Sequence, residues 1–412
     1  MYFLRRSLRF LVVALGLTAC SQQTPQTVSA VGSHLAVPPT VLATPNALTD
    51  PSPTQSVTPV VQKVWMLQDL SVLFPLPQTL PNPNAIRPSD QGKLGAFVPD
   101  ALLQKLPLLE PNLSLATQTT RLELVAVRFD PPQVRLIWQV FKTVTNADGK
   151  SGSVAFDTAV HSFYQVSDTN GFISDLAETS ALAQSNLQID APLTVHPTLM
   201  KKGFKSDYAQ SLQHLISKWC GESNLFKLTF MVASGEHLHW TFGGFTYANG
   251  EIQTLQIPKI NLTGVQTFSN SSPSAASFLG GIDVIPDGQT ELDAILKDSS
   301  NAMAVQSDSL EKAHFTAVTL ENPRLTDVDQ TDCASCHVAQ MVRLWVEDRT
   351  PSLTSEFANV FTSSQYPLTN VSADKDRSDN LRAFGYFADQ PAVSQRTIND
   401  SALIASRLSG TN

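Results

Sequence analysis

Five runs between residues 121 and 245 are rich in β-branched and aromatic residues, and they constrain the fold more than any other feature. RLELVAVRF (121–129) alternates polar and apolar positions and stops at DPP. VRLIWQVF (134–141), TAVHSFYQV (158–166), NLFKLTFMV (224–232) and HLHWTFGGF (237–245) continue in the same manner. Side chains two apart on a strand share a face, so such runs require a sheet with a buried side. The turn-forming stretches NADGKSG and ANGE punctuate them, as Asn, Asp and Gly do between strands. AQSLQHLISKW (209–219) departs from the pattern, with Leu212, Leu215, Ile216 and Trp219 at helical spacing. Residues 63–266 are therefore expected to form a β-rich, sandwich-like domain with at least one helix.

TFSNSSPSAASFLGG (267–281) is Ser- and Gly-rich and marks the expected domain boundary. From 282 to 412 the pattern is helical. TELDAILKD (290–298) begins with a Thr cap and carries Leu292, Ile295 and Leu296 on one face. ASCHVAQMVRLWVED (334–348) has Thr331 or Asp332 available as N-cap and Val338, Met341, Val342 and Trp345 at core spacing. TINDSALIASRLS (397–409) reads as a closing helix. The expected class is α+β, a sheet domain followed by a small, mostly helical domain. No internal repeat is evident, which argues against a solenoid or a second copy of any site.

At 412 residues, 42% apolar and 16% charged, the chain has the material for a sizeable core. The net charge of −8 and the lack of a Lys/Arg cluster after the first ten residues argue against nucleic acid as a partner. The N-terminus is a targeting device. MYFLRRSLR supplies three arginines, FLVVALGL is an apolar run too short to span a bilayer, and LTAC closes it. Leu17-Thr18-Ala19-Cys20 resembles the lipobox of bacterial lipoproteins. The resemblance implies a signal peptide over 1–19, removal before Cys20, and lipidation of Cys20 with palmitate-type acyl chains. Ser21 after the cysteine is compatible with sorting to the outer membrane, so the implied location is a lipid anchor facing the periplasm or the cell surface. Arg5-Arg6 suggests a twin-arginine signal, but Arg9 interrupts the apolar positions such signals favour. Residues 20–62 hold seven prolines and one charged residue, Asp50. Such a stretch cannot bury enough apolar surface to offset its ordering entropy and reads as an extended tether.

Cys333, Cys336 and His337 form the pattern C-x-x-C-H in a chain with only 4 Cys. It resembles the attachment motif of c-type cytochromes. The resemblance implies one covalent haem c, with Cys333 and Cys336 in thioether bonds and His337 as the proximal iron ligand. It also implies a cytochrome c-like fold for 282–412 and one-electron exchange with a redox partner protein. Export agrees with it, because c-type attachment takes place outside the bacterial cytoplasm. Other arrangements use the same residues. A Cys333–Cys336 disulfide, structural or redox-active, suits an oxidising compartment. A structural zinc site needs a fourth ligand, and adjacent Cys336 and His337 would strain to share one ion.

The motif departs from small c-type cytochromes on its distal side. No His follows His337, and the only later Met is Met341, one helical turn along and hence on the proximal side. A distal ligand must come from upstream, with His314 and Met303 nearest in sequence, or be missing. His314 is the preferred candidate and gives a bis-His iron. His237 and His239 in HLH share one strand face, as paired metal ligands do, but they read first as a polar strand face; His161 or Glu236 could join them only through the fold. Cys220 reads as a buried, inert thiol. No G-x-S-x-G, phosphate loop or H-E-x-x-H occurs, so hydrolase and nucleotide chemistry have no support. The rival function is a cell-surface binding lipoprotein whose β domain does the work, with the C-x-x-C-H region a stabilising element.

The lipobox reading predicts that Cys20→Ala releases the protein from membranes or leaves an unprocessed precursor. Membrane fractionation with N-terminal mass analysis checks it. A mature N-terminus at another residue, without lipid, contradicts it.

Overall fold

The computed structural model describes residues 63–110, 113–145, 147–149, 151–183, 193–234, 239–258, 264–270, 282–285, 307–352, 381 and 383–410. The signal peptide, Cys20, the tether, the helix expected at 290–298 and Met303 lie outside these residues. Residues 61–412 form one compact unit.

The strands are β1 (Ser71–Leu73), β2 (Gln91–Gly92), β3 (Gly95–Ala96), β4 (Leu122–Asp130), β5 (Gln133–Thr145), β6 (Ser151–Ala155) and β7 (Thr158–Gln165). They continue with β8 (Leu225–Ser234), β9 (His239–Ala248), β10 (Glu251–Thr254), β11 (Val265–Asn270), β12 (Ile282–Ile285), β13 (Phe384–Phe387) and β14 (Gln390–Val393). Five longer helices are α1 (Thr169–Ala181), α2 (Asp207–Trp219), α3 (Ser307–Glu321), α4 (Cys333–Arg349) and α5 (Gln395–Ser409). The class is α+β. Ten strands join one antiparallel sheet in the order β1-β4-β5-β7-β8-β9-β11-β12, with β6 beside β5 and β10 beside β9. β11, which takes in the first four residues of the Ser-rich stretch, pairs with β12, which follows it.

The strand-like runs thus lie in one sheet rather than two packed sheets. The reason is that helices cover both faces. On one side Leu136, Trp138, Tyr164 and Leu228 cluster with Phe172 and Leu176 of α1 and with Leu212, Leu215 and Ile216 of α2. On the other side Val125, Ile137, Phe141 and Ala159 cluster with Tyr386, Val393, Ile398 and Ala402. Each fully buried Leu or Phe contributes roughly 1.5–3 kcal/mol, so residues at both parities of a strand can be apolar when both faces are roofed.

Buried polar groups fix the layers in register. Trp138 Nε1 donates to Ser162 Oγ at 2.8 Å. Gln139 is fully buried. Its amide donates to the Tyr386 carbonyl at 2.9 Å and accepts from the Tyr386 N–H at 2.7 Å, pinning the β13–β14 hairpin to β5. Gly385 makes that approach possible. Its φ is 144°, and a Cβ there would lie 2.5 Å from the Gln139 side-chain oxygen.

His196 packs in the core with 1% exposure, its ring stacked on Tyr208 at 4.5 Å, and neither ring nitrogen has a hydrogen-bond partner among the described residues. Burial pulls its pKa down from 6.5 to about 4. The folded state therefore holds the ring neutral where the unfolded chain already protonates it. Stability is complete above pH 6.5 and declines as the pH falls towards 4, by on the order of 3 kcal/mol from this residue. Denaturation midpoints between pH 7 and pH 4 should show that slope, and His196→Leu should flatten it; an unchanged slope in the variant contradicts the assignment.

Candidate functional site

α4 begins at Cys333 because Asp332 caps it, its carboxylate accepting the Ser335 N–H at 3.0 Å. Gln266 of β11, fully buried, donates to the same carboxylate at 2.7 Å and accepts the Ala334 N–H at 2.8 Å. Of the otherwise orphaned N–H groups of the first helical turn, that of Ser335 is satisfied by the cap and that of Ala334 by the sheet. His337 lies one turn on. Its Nδ1 is 2.6 Å from the Leu381 carbonyl, and its ring centroid is 5.0 Å from that of Phe242 on β9. A carbonyl only accepts, so Nδ1 carries the proton and the lone pair of the neutral ring is on Nε2. A ring oriented in this way through its other nitrogen is the usual arrangement of an imidazole metal ligand.

Cys333, Cys336 and His337 line one cavity of about 360 Å³ between α4 and the face of the sheet. Cofactor and small-molecule sites occupy roughly 300–1,000 Å³. The pairing register arranges the sheet wall in rows. Arg128, Arg135, Phe163, Lys227 and Thr246 stand opposite one another across β4, β5, β7, β8 and β9. His161 and Thr229 form part of the next row on this face, and Ala159, Met231 and Phe242 the row after it. All of these side chains line the cavity. α5 contributes Arg396, Thr397 and Asp400.

Both motif cysteines are unbridged thiols. Burial pushes the Cys333 thiol up to about 12, with Asp332 and Cys336 adding to the effect, and burial also raises that of Cys336. Catalytic C-x-x-C thiols are shifted the opposite way, to favour the thiolate. Among the described residues no three His, Cys, Asp or Glu side chains converge as a metal site.

The structure brings Cys333, Cys336 and His337 together and places His314 elsewhere. His314, on α3, is buried with Nε2 at 2.9 Å from Glu347 Oε1, and it is not part of the cavity wall. Its position is set by the charged seam between α3 and α4, where Arg343 also binds Glu321 at 2.6 Å and Glu347 at 3.1 Å. Met341 lies on α4, one turn beyond His337. Of the HLH pair, His239 opens β9 and His237 lies outside the described residues. Cys220 is fully buried, and burial holds its thiol well above the usual range. The sequence reading missed His161 as a partner of the motif, and it missed Met231 and Arg135. Only the strand register sets them on the wall facing α4. Comparison with protein families, with curated proteins and with solved structures finds no match to this chain.

The clamp on the helix start carries a prediction. Gln266→Leu leaves the Ala334 N–H without its acceptor and removes a donor from Asp332, at a cost of about 1–3 kcal/mol. Equilibrium denaturation of the variant measures this, and an unchanged midpoint would show that the clamp does not hold the helix.

Proposed function

We propose that this chain is an exported, lipid-anchored c-type haem protein that carries single electrons at a membrane surface. One observation carries the reading: both thiols and the imidazole of C-x-x-C-H face a single cavity with an aromatic sheet wall. The Leu381 carbonyl orients His337 for ligation through Nε2. The residues present fit the group. Cys333 and Cys336 would hold it by thioether bonds and His337 would take the proximal position. Four of the iron's ligands belong to the porphyrin, so one or two side chains complete the set. His161 and Met231 face the cavity from the sheet and carry donor atoms suited to the distal position. His161 is the preferred one, and with His337 it would hold the iron through two imidazoles.

Haem bound here supplies a one-electron couple between two charge states of iron. The chain sets its environment. Phe163, Phe226, Phe230 and Phe242 give the cavity an apolar wall. Such an environment disfavours the more charged ferric state and raises the potential. Within 282–412, the motif helix α4 and the closing helix α5 contribute to the cavity, and the sheet supplies its other wall. No described helix is long and apolar enough to cross a membrane, so attachment through Cys20 is the proposed link to the bilayer.

Full-length protein produced with a c-type maturation system should gain the mass of one haem, and Cys333→Ala with Cys336→Ala should abolish the gain. In the matured protein His161→Ala should convert a low-spin iron into one that binds carbon monoxide, while Met231→Leu leaves the spin state unchanged. An unmodified mass with a Cys333–Cys336 disulfide refutes the haem reading.

A further inference from the structure

Arg128 and Arg135 stand directly opposite each other on β4 and β5. Like charges in that position repel and destabilise a sheet. Lys227 lies in the same row, two strands beyond Arg135. Each of these cations faces the cavity, as does Arg396. Three carboxylates, Asp329, Asp332 and Asp400, also line it. They are already committed. Asp400 accepts from Arg128 at 2.7 Å and from Arg396 at 2.9 Å. Asp329 pairs with Lys227. Asp332 caps α4 and takes the Gln266 amide.

Arg135 is left over. Among the described residues its guanidinium makes no hydrogen bond and no ion pair. Its contact is the Phe163 ring, 4.5 Å from the guanidinium carbon to the ring centroid, and Lys227 sits at 4.5 Å from the same ring. The contact holds the guanidinium over the ring face and leaves its N–H groups for another partner. Burial, reinforced by Arg128, pulls this arginine down to about 10 from 12.5. A cation under that strain is relieved by an anion placed against it.

We infer that Arg135 is the carboxylate-recognition residue of this cavity, and that the ligand the cavity takes carries a carboxylate held by the Arg135 guanidinium. Resting on the haem reading, that carboxylate is a haem propionate. The planar fork matches the two oxygens of a carboxylate at once, and the cavity has room for an organic ligand rather than an ion alone; the haem reading selects the carboxylate.

The test uses the full chain produced without haem-attachment machinery, with haemin, haemin dimethyl ester and decanoate as probes. Haemin should bind about tenfold or more tightly than its dimethyl ester, the factor expected for one charge-assisted contact. Arg135→Gln should bring the two affinities together, and Arg135→Lys should restore part of the difference. Equal binding of both porphyrins by the unmodified chain overturns the proposal and leaves the haem reading standing. So does a preference that survives in Arg135→Gln. If neither porphyrin binds, the haem reading is decided by the mass of the matured protein, because this preparation lacks the thioether bonds. The carboxylate site then stands only if decanoate binds the unmodified chain about tenfold or more tightly than Arg135→Gln, and is overturned if it does not. The comparison between acid and ester in the unmodified chain needs no variant to fold.

Discussion

Asp400 is the joint on which the architecture of the site turns. It is buried on the C-terminal helix α5 and receives Arg128 of β4 at 2.7 Å and Arg396 of its own helix at 2.9 Å. Arg396 in turn donates to the Leu320 carbonyl at the end of α3 and to the Thr326 carbonyl on the approach to the motif helix. One carboxylate therefore ties together the sheet, the last helix, α3 and the segment leading to Cys333. Removing one partner of such a buried pair leaves an uncompensated charge, a loss of about 3–5 kcal/mol, whereas an apolar replacement of the whole set can be neutral. The consequence is geometric: α5 cannot slide over the sheet without breaking the pairing, so the roof of the cavity has one position.

With the roof fixed, the cavity is a product of long-range assembly. Its walls come from strands between residues 128 and 246 and from helices beyond residue 332. The side chains around the C-x-x-C-H turn thus come both from the sheet that precedes it and from α5, which lies well after it in sequence. In a small cytochrome of the kind the motif resembles, the chain after the motif encloses the haem. Here the aromatic wall and the candidate distal donors belong to the preceding sheet. On the proposed reading the large sheet sets the polarity on the far side of the motif, and it holds Arg135, which forms no ion pair among the described residues.

Much of the fold was legible because its signals are local. The runs at 121–129, 134–141 and 224–232 appear as β4, β5 and β8 within a few residues, since period-two alternation is a property of each strand alone. The helices expected at 209–219, 334–348 and 397–409 appear as α2, α4 and α5, with Asp332 as the cap of α4. The single sheet was not legible, because apolar residues at both parities look the same whether a helix or a second sheet covers them. The motif triad was legible because its spacing is fixed within one turn. His161, Met231 and Arg135 were not, because they meet the motif only through the register of β5, β7 and β8. Proximity in sequence favoured His314, but the seam of Arg343, Glu321 and Glu347 draws that ring into the α3–α4 interface.

The central claim is that the space between α4 and the sheet holds iron against His337. Crystals of the matured full-length protein measured at the iron absorption edge locate that atom without reference to any assumed ligand. The account predicts one anomalous peak per chain, at bonding distance from His337 Nε2 and facing the wall that carries His161, Met231 and Phe242. A peak elsewhere in the molecule, or none in protein shown to be fully matured, would contradict it.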